Sequence, residues 1–241
     1  MRRLLIVLGL SAFLLANASS ALADTSPLPD ESGTYHFRSS GSSAAASFSN
    51  VLSDTEVLPP GTYFSTDIWA SDSISTQGGD VFQDSGVCVF HWTFTITDSG
   101  DWVDGPSIDG CVSEADLTVS RRLAGAGIVA AVPVSRCLDY DKDTGECLDF
   151  VDLGTVMVDL DLSGVGQTLR YHGASSGGSG GSYQFIYHSS GSERRATVSG
   201  SVDLVAPDGS IEDLTGGMTG GGYLSQSRDG STDVFISSGR P

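Results

Sequence analysis

Basic residues are scarce in this chain. Of its 241 residues, 12 are Lys or Arg against 30 Asp or Glu, giving a formal net charge of −18. Lys142 is the only lysine, and six of the acids are Glu. Phosphate backbones are held by clustered basic surfaces, so the balance argues against a nucleic-acid partner. The acidity itself reads first as solubility and Asp-rich turns, with a high-salt habitat or divalent-cation binding as the sharper alternatives.

Long apolar runs are also missing. The one candidate, Leu4 to Ala16, follows Arg2 and Arg3 and precedes the small residues Ala21-Leu22-Ala23, the layout of a secretory signal peptide. It falls short of the roughly 20 residues a spanning helix needs, and no later segment approaches that length. No membrane span is expected. Residues 1–23 are therefore set apart, and residues 24–241 are expected to form one exported domain. That domain is extracellular, or periplasmic if the cell has an outer membrane. No cysteine stands at the cleavage site, and the tail Ser237 to Pro241 lacks a lipid-anchor signal. Subtracting the two leader arginines leaves 10 basic and 30 acidic residues, a formal charge of −20.

Helical periodicity is absent, and four cysteines make a thin framework. In an exported chain they imply two disulfides. A hairpin turning at Asp98 to Asp101 sets Cys88 opposite Cys111, and the same symmetry about Lys142 sets Cys137 opposite Cys147. Cross-strand partners approach within disulfide reach. Pro106 and two glycines make the first hairpin the less regular of the two.

What the chain has is alternation. Val87 to Thr97, VCVFHWTFTIT, is the longest period-two run. Its Cys88, Phe90, Trp92, Phe94 and Ile96 face is assigned to the core, and His91 to the outer face among threonines. Gly154 to Ser163 repeats the pattern with Val156, Val158, Leu160 and Leu162 inward. Ile128 to Val134 does so too, with Pro133 placing that strand at an edge or ending it. Shorter strands are read at 35–39, 43–50, 62–70, 115–122, 167–172, 183–188, 194–206 and 210–214. A closing hairpin, 223–227 with 232–237, turns at Arg228-Asp229-Gly230. Gly41-Ser42 reads as a turn, Ser71 to Gly86 as a polar loop, and GASSGGSGGS after His172 as a mobile linker-like loop. About a dozen short strands without a helix predict an all-β fold, an antiparallel β-sandwich of jelly-roll or related type, with a closed β-barrel as the alternative.

Sites are harder to read. Asp139, Asp141, Asp143 and Glu146 in CLDYDKDTGEC form a calcium candidate, since hard cations want converging oxygens. Thr144 and Phe150 stand where an EF-hand loop needs Gly and Glu, so only a looser site fits, and a solvated acidic hairpin tip is the simpler account. The G-x-S-x-G matches at Gly173–Gly177 and Gly177–Gly181 lack the strand-turn-helix setting that pattern requires. His36, His91, His172 and His188 lack metal-ligand spacing. Trp69, Trp92 and Trp102 with Tyr63, Tyr183 and Tyr187 offer a sugar-stacking face, in which Trp102 is the residue expected to be exposed.

One internal similarity stands out: SSGSSAAASFS at Ser39 to Ser49 and SSGSERRATVS at Ser189 to Ser199. It reads either as related half-domains or as Ser-Gly turns that look alike, and the second is preferred because a single short match is not a repeat architecture.

The early SSGSxAAASF strand, the cysteine-bearing mid-chain strand, GTVMVDLDLSG and ERRATVSGSV together resemble uncharacterised secreted bacterial β-rich proteins. The resemblance implies fold and export only. The function expected is a secreted, non-enzymatic protein with a binding or structural role at the cell surface or beyond it. An extracellular glycan or protein is its partner, and calcium is the one cofactor to consider. The alternative is a secreted hydrolase acting on glycans.

Overall fold

The alternating stretches pair into one long antiparallel ladder. The computed structural model describes residues 33–51, 58–113, 115–140, 147–179 and 183–235. The strands are β1 (Gly33–Ser49), β2 (Gly61–Gln77), β3 (Asp80–Ile96), β4 (Trp102–Val112), β5 (Asp116–Val119), β6 (Gly125–Tyr140), β7 (Cys147–Ser179), β8 (Tyr183–Val205), β9 (Ile211–Asp213) and β10 (Gly220–Phe235). Neighbours run β10-β1-β2-β3-β4-β6-β7-β8, and β10 also pairs with β8, so eight strands close into a ring. β5 pairs with β6 and β9 with β8 outside that ring. The all-β, antiparallel expectation is borne out. Among the described residues, no helix is long and apolar enough to cross a membrane.

The ring has a packed half and an open half. In the packed half alternate residues point inward: Ala44, Ala46 and Phe48 of β1, Ile68 and Ala70 of β2, Val87 and Val89 of β3. They meet Ile128 and Val132 of β6, Val156 and Leu160 of β7, and Val198 and Val202 of β8. Full burial of each larger aliphatic contributes about 1.5–3 kcal/mol. One end of this core is closed by Leu214, whose N–H donates to the Val202 carbonyl at 2.8 Å. The other end is closed by Leu123, fully buried in a left-handed conformation (φ 54°) after the tight turn Arg121–Leu123. Beyond Leu123 the strands continue with no buried side chains on β1, β8 and β10, at 33–43, 183–195 and 225–235.

Register corrects the reading of Val87 to Thr97. Ala70 pairs with Val87 and Thr66 with His91, so Val87, Val89 and His91 point into the ring. Phe90 is 43% exposed on the outside. Phe94 and Ile96 are buried, but in a separate cluster with Tyr63, packed by Val51, Leu58 and Trp92. An irregularity between Trp92 and Phe94 accompanies the switch from odd to even buried positions. The physical reason is that alternation marks two faces without saying which is inside. On β3 the interior takes Val87, Val89 and His91, and Phe90 stays outside.

The disulfide Cys88–Cys111 forms between register partners, as expected. For the second pair, Cys147 stands opposite Tyr140 and Cys137 opposite Phe150 along the backbone, and the Cys137–Cys147 bridge itself lies outside the described residues. The signal peptide of residues 1–23 lies outside them as well.

Several expected turns and loops prove to be strand. β1 runs through Gly41-Ser42, β10 through Arg228-Asp229-Gly230, and β7 extends to Ser179. Ser71 to Gly86 is the far arm of the β2–β3 hairpin, turned by Gly78 and Gly79 with φ of 61° and 100°. Gly and Ser weaken a strand only when nothing else holds it. Here each segment is laddered to neighbours, and aromatic rings cover glycines: a Cβ on Gly191 would meet the Tyr171 ring at 2.2 Å, and one on Gly177 the Phe185 ring at 2.7 Å. Pro133 is not at the end of its strand, since β6 continues to Tyr140. It lies beside the thinnest ladder of the ring, β4–β6, whose registered pair is Asp109 with Ser135.

Candidate functional site

The open half holds a cleft of about 920 Å³ whose lining comes from β1, β2, β7, β8 and β10. Each strand contributes the face that continues the core, and the register sets the rungs. Thr76, Arg38, Gly230, His188 and Ala174 share one rung. Ile74, Ser40, Arg228, Ser190 and His172 share the next. A smaller hollow of about 320 Å³ shares Arg38 and Thr76 and adds His36.

Charge is sorted by face. Along the open half of β1, β10, β8 and β7, the cleft face carries Arg38, Arg228, His172, His188, His36 and Arg170, and no carboxylate. The acids of those strands sit on the reverse, where Asp229 accepts a hydrogen bond from the Tyr187 hydroxyl at 3.1 Å and Asp233 one from Tyr183 at 2.7 Å. Burial and then the Asp233 bond push the Tyr183 phenol up to about 12, and burial with Asp229 raises Tyr187 likewise. Both are therefore neutral donors at physiological pH. Asp72 of β2, opposite Ser42, is an acid on the inward face of the ring. The Arg38 and Arg228 guanidinium groups form no ion pair among the described residues. In a chain of charge −18, the cleft face of these four strands bears three guanidiniums and three imidazoles and no carboxylate, a donor set suited to anion recognition.

The internal similarity takes on a spatial meaning. Ser39 and Ser189 both pair with Asp229, Gly41 and Gly191 with Ser227, and Ala46 and Ala196 with Gly222. The two SSGS segments are strand interiors flanking β10 at the same rungs, not turns. The same offset relates Arg38 to His188, which face each other across Gly230.

The sites expected from sequence lie elsewhere. Trp102 is 43% exposed, with Phe94 stacked on it at 3.6 Å between centroids and its Nε1 donating to Asp104 at 2.6 Å. Its rung runs through Ile96 to Gly61, whereas Arg38 pairs with Thr76. Fifteen residues of β2 separate them, roughly 50 Å along the strand, so Trp102 cannot line the cleft. Tyr183 and Tyr187 lie on the reverse face. The calcium candidates Asp139, Asp141, Asp143 and Glu146 fall outside the residues whose side chains are described, and among the described residues no group of three or more His, Cys, Asp or Glu is placed to hold a metal. His91 is not an outer-face neighbour of threonines but a buried core residue, its Nδ1 2.8 Å from the Thr66 hydroxyl.

Sequence reasoning passed over Arg38, assigned Arg228 to a turn, and set His172 and His188 aside for want of metal-ligand spacing. The signal was present as period-two basic pairs, His36 with Arg38 and Arg170 with His172, in a chain otherwise poor in cations.

No protein-family model matches the chain, and no curated protein matches it. Among solved structures, the translocator domain of the autotransporter NalP from Neisseria meningitidis aligns over 94% of this chain and 96% of that one, at 10% identity and a TM-score of 0.16. So loose a superposition carries no argument about fold or role.

Proposed function

We propose that this chain is an exported, non-enzymatic binding protein that holds an anionic ligand in the open half of its ring. The inward face of β1, β10, β8 and β7, which brings Arg38 and Arg228 to the cleft and bears no carboxylate, carries the reading. Glycoside hydrolysis uses two carboxyl groups flanking the scissile bond. The cleft lining contains one carboxylate residue, Asp229, already engaged by Tyr187, which favours binding over hydrolysis.

Export is supported by the leader-like residues 1–23 and by the Cys88–Cys111 bridge, a feature of oxidising compartments. The packed half turns its aliphatics inward and Asp159, Asp161 and Asp203 outward. A lipid-embedded barrel has the opposite arrangement, so an aqueous setting fits.

The test is a titration of the protein with galacturonate and with sulfate, followed by NMR of the histidine side chains. His172 and His188 signals are expected to move while that of buried His91 stays in place. Unmoved cleft histidines at saturating anion would overturn the proposal.

A further inference from the structure

The two guanidiniums and two imidazoles of the cleft are spaced in a way that identifies a class of ligand. Arg38 lies on β1, Arg228 on β10, His188 on β8 and His172 on β7, four strands that are consecutive neighbours in the ring. Arg38 and His188 occupy one rung, and Arg228 and His172 the next. Two guanidiniums and two imidazoles of the cleft lining therefore form a zigzag running across the strands, one group from each strand. It spans three inter-strand gaps, about 14 Å. Between Arg38 and His188 stands Gly230, and between Arg228 and His172 stands Ser190, with Ala174 and Ser40 at the far ends of the two rungs, all of them small.

We infer that the ligand is a linear acidic glycan with one charged group per sugar ring, lying across β1, β10, β8 and β7; this rests on the binding reading above. A lone carboxylate, sulfate or phosphate reaches its donors at about 2.7–2.9 Å and cannot engage guanidinium and imidazole groups spread over three strand gaps. The ligand must be elongated and carry several charges. The successive rings of a sugar chain place their acid groups at a spacing comparable to that between strands. The hydroxyls of Ser40, Ser190 and Thr76 lie among the cations. Those of Ser190 and Thr76 make only long bonds to backbone carbonyls, at 3.4 and 3.5 Å, and suit a polyhydroxylated chain. Nucleic acid fits poorly, because its charge density, about one per 1.7 Å of duplex, meets the repulsion of a chain with 30 acids. A neutral glycan would leave the Arg38 and Arg228 guanidiniums without a counter-charge.

The experiment is calorimetry on the mature protein with oligogalacturonides of one to six rings, beside the same oligomers with their carboxyl groups reduced to alcohols. Affinity is expected to climb with length up to about four rings, matching four strands, and to vanish in the reduced series. Arg38→Gln and Arg228→Gln should each weaken binding of the four-ring oligomer by about tenfold or more. Arg195→Gln, on the reverse face, should leave it unchanged. Thermal melts confirm that each variant is folded, and Arg228→Lys, which keeps the charge, should recover part of the loss. If the single ring binds with no gain in length, the acidic-glycan inference falls and the anion-binding reading stands. If neither monomer nor oligomer binds, both fall. Tighter binding of poly-glutamate or single-stranded DNA than of the oligogalacturonides would also overturn the ligand class.

Discussion

His91 shows how one buried side chain can be decoded. The Thr66 hydroxyl donates its single proton to the Leu214 carbonyl, so the contact between Thr66 and His91 requires Nδ1–H of His91 to be the donor. The imidazole thus ties β2 and β3 to the segment that closes the core. Burial lowers its pKa, with Glu212 pulling the other way. A depressed folded-state pKa means that the unfolded chain binds the proton first. The stabilisation is complete above the ordinary imidazole value, about 6.5, and is lost as pH falls through the folded value. Melting temperature should therefore decline on acidification from that point, and His91→Gln should flatten the decline. Thr66→Val leaves the imidazole N–H and the Leu214 carbonyl buried without a partner, and should cost about 1–3 kcal/mol in urea denaturation. Leu123→Ala should cost about 2–5 kcal/mol, because it opens a cavity at the other end of the core.

Among the elements, β3 carries most of the consequence. One face supplies Val87 and Val89 to the core, and the other carries the disulfide and the aromatic stack. Phe94 lies between Tyr63, at 5.1 Å, and Trp102, at 3.6 Å, across three neighbouring strands. The bridge closes a loop with a sequence separation of 23. Replacing Cys88 and Cys111 together by Ala should cost about 3 kcal/mol, since a loop of that order constrains the unfolded chain by about that amount. A loss below half of that in equilibrium unfolding would show that the β3–β4 pair is held chiefly by its stacked rings. Alternation in this strand was fully legible, but its direction was not. A one-residue change of register exchanges the two faces, and the choice depends on the size of the side chains arriving from β2, β4 and β6.

At the scale of the molecule, the ring divides into a half that explains stability and a half available for function. Backbone bonds continue through both, but side-chain burial stops near Leu123. Hydrogen exchange should follow this division, with slow amides at 156–162, 196–204 and 87–91 and faster ones at 33–41, 169–178 and 226–234. Uniform protection along β8 would refute it. The guanidinium and imidazole groups of the cleft come from positions 38, 172, 188 and 228, so no window of sequence contains the site. Antiparallel pairing brings residues nearly 200 positions apart onto neighbouring rungs, as with His36 and Thr232.

Local chemistry was enough to determine the all-β class, the inward face of Gly154 to Ser163, the turn at Asp98 to Asp101 and the pairing of Cys88 with Cys111. Each depends on side-chain period or on distance from a turn, and both are properties of adjacent residues. Only the tertiary structure decided that the Gly- and Ser-rich segments are strands, that His91 is inside and Phe90 outside, and that Arg38 and Arg228 share the cleft with His172 and His188. Those outcomes depend on which strands become neighbours. Closure of the ring sets that, through the hydrogen bonds between β8 and β10.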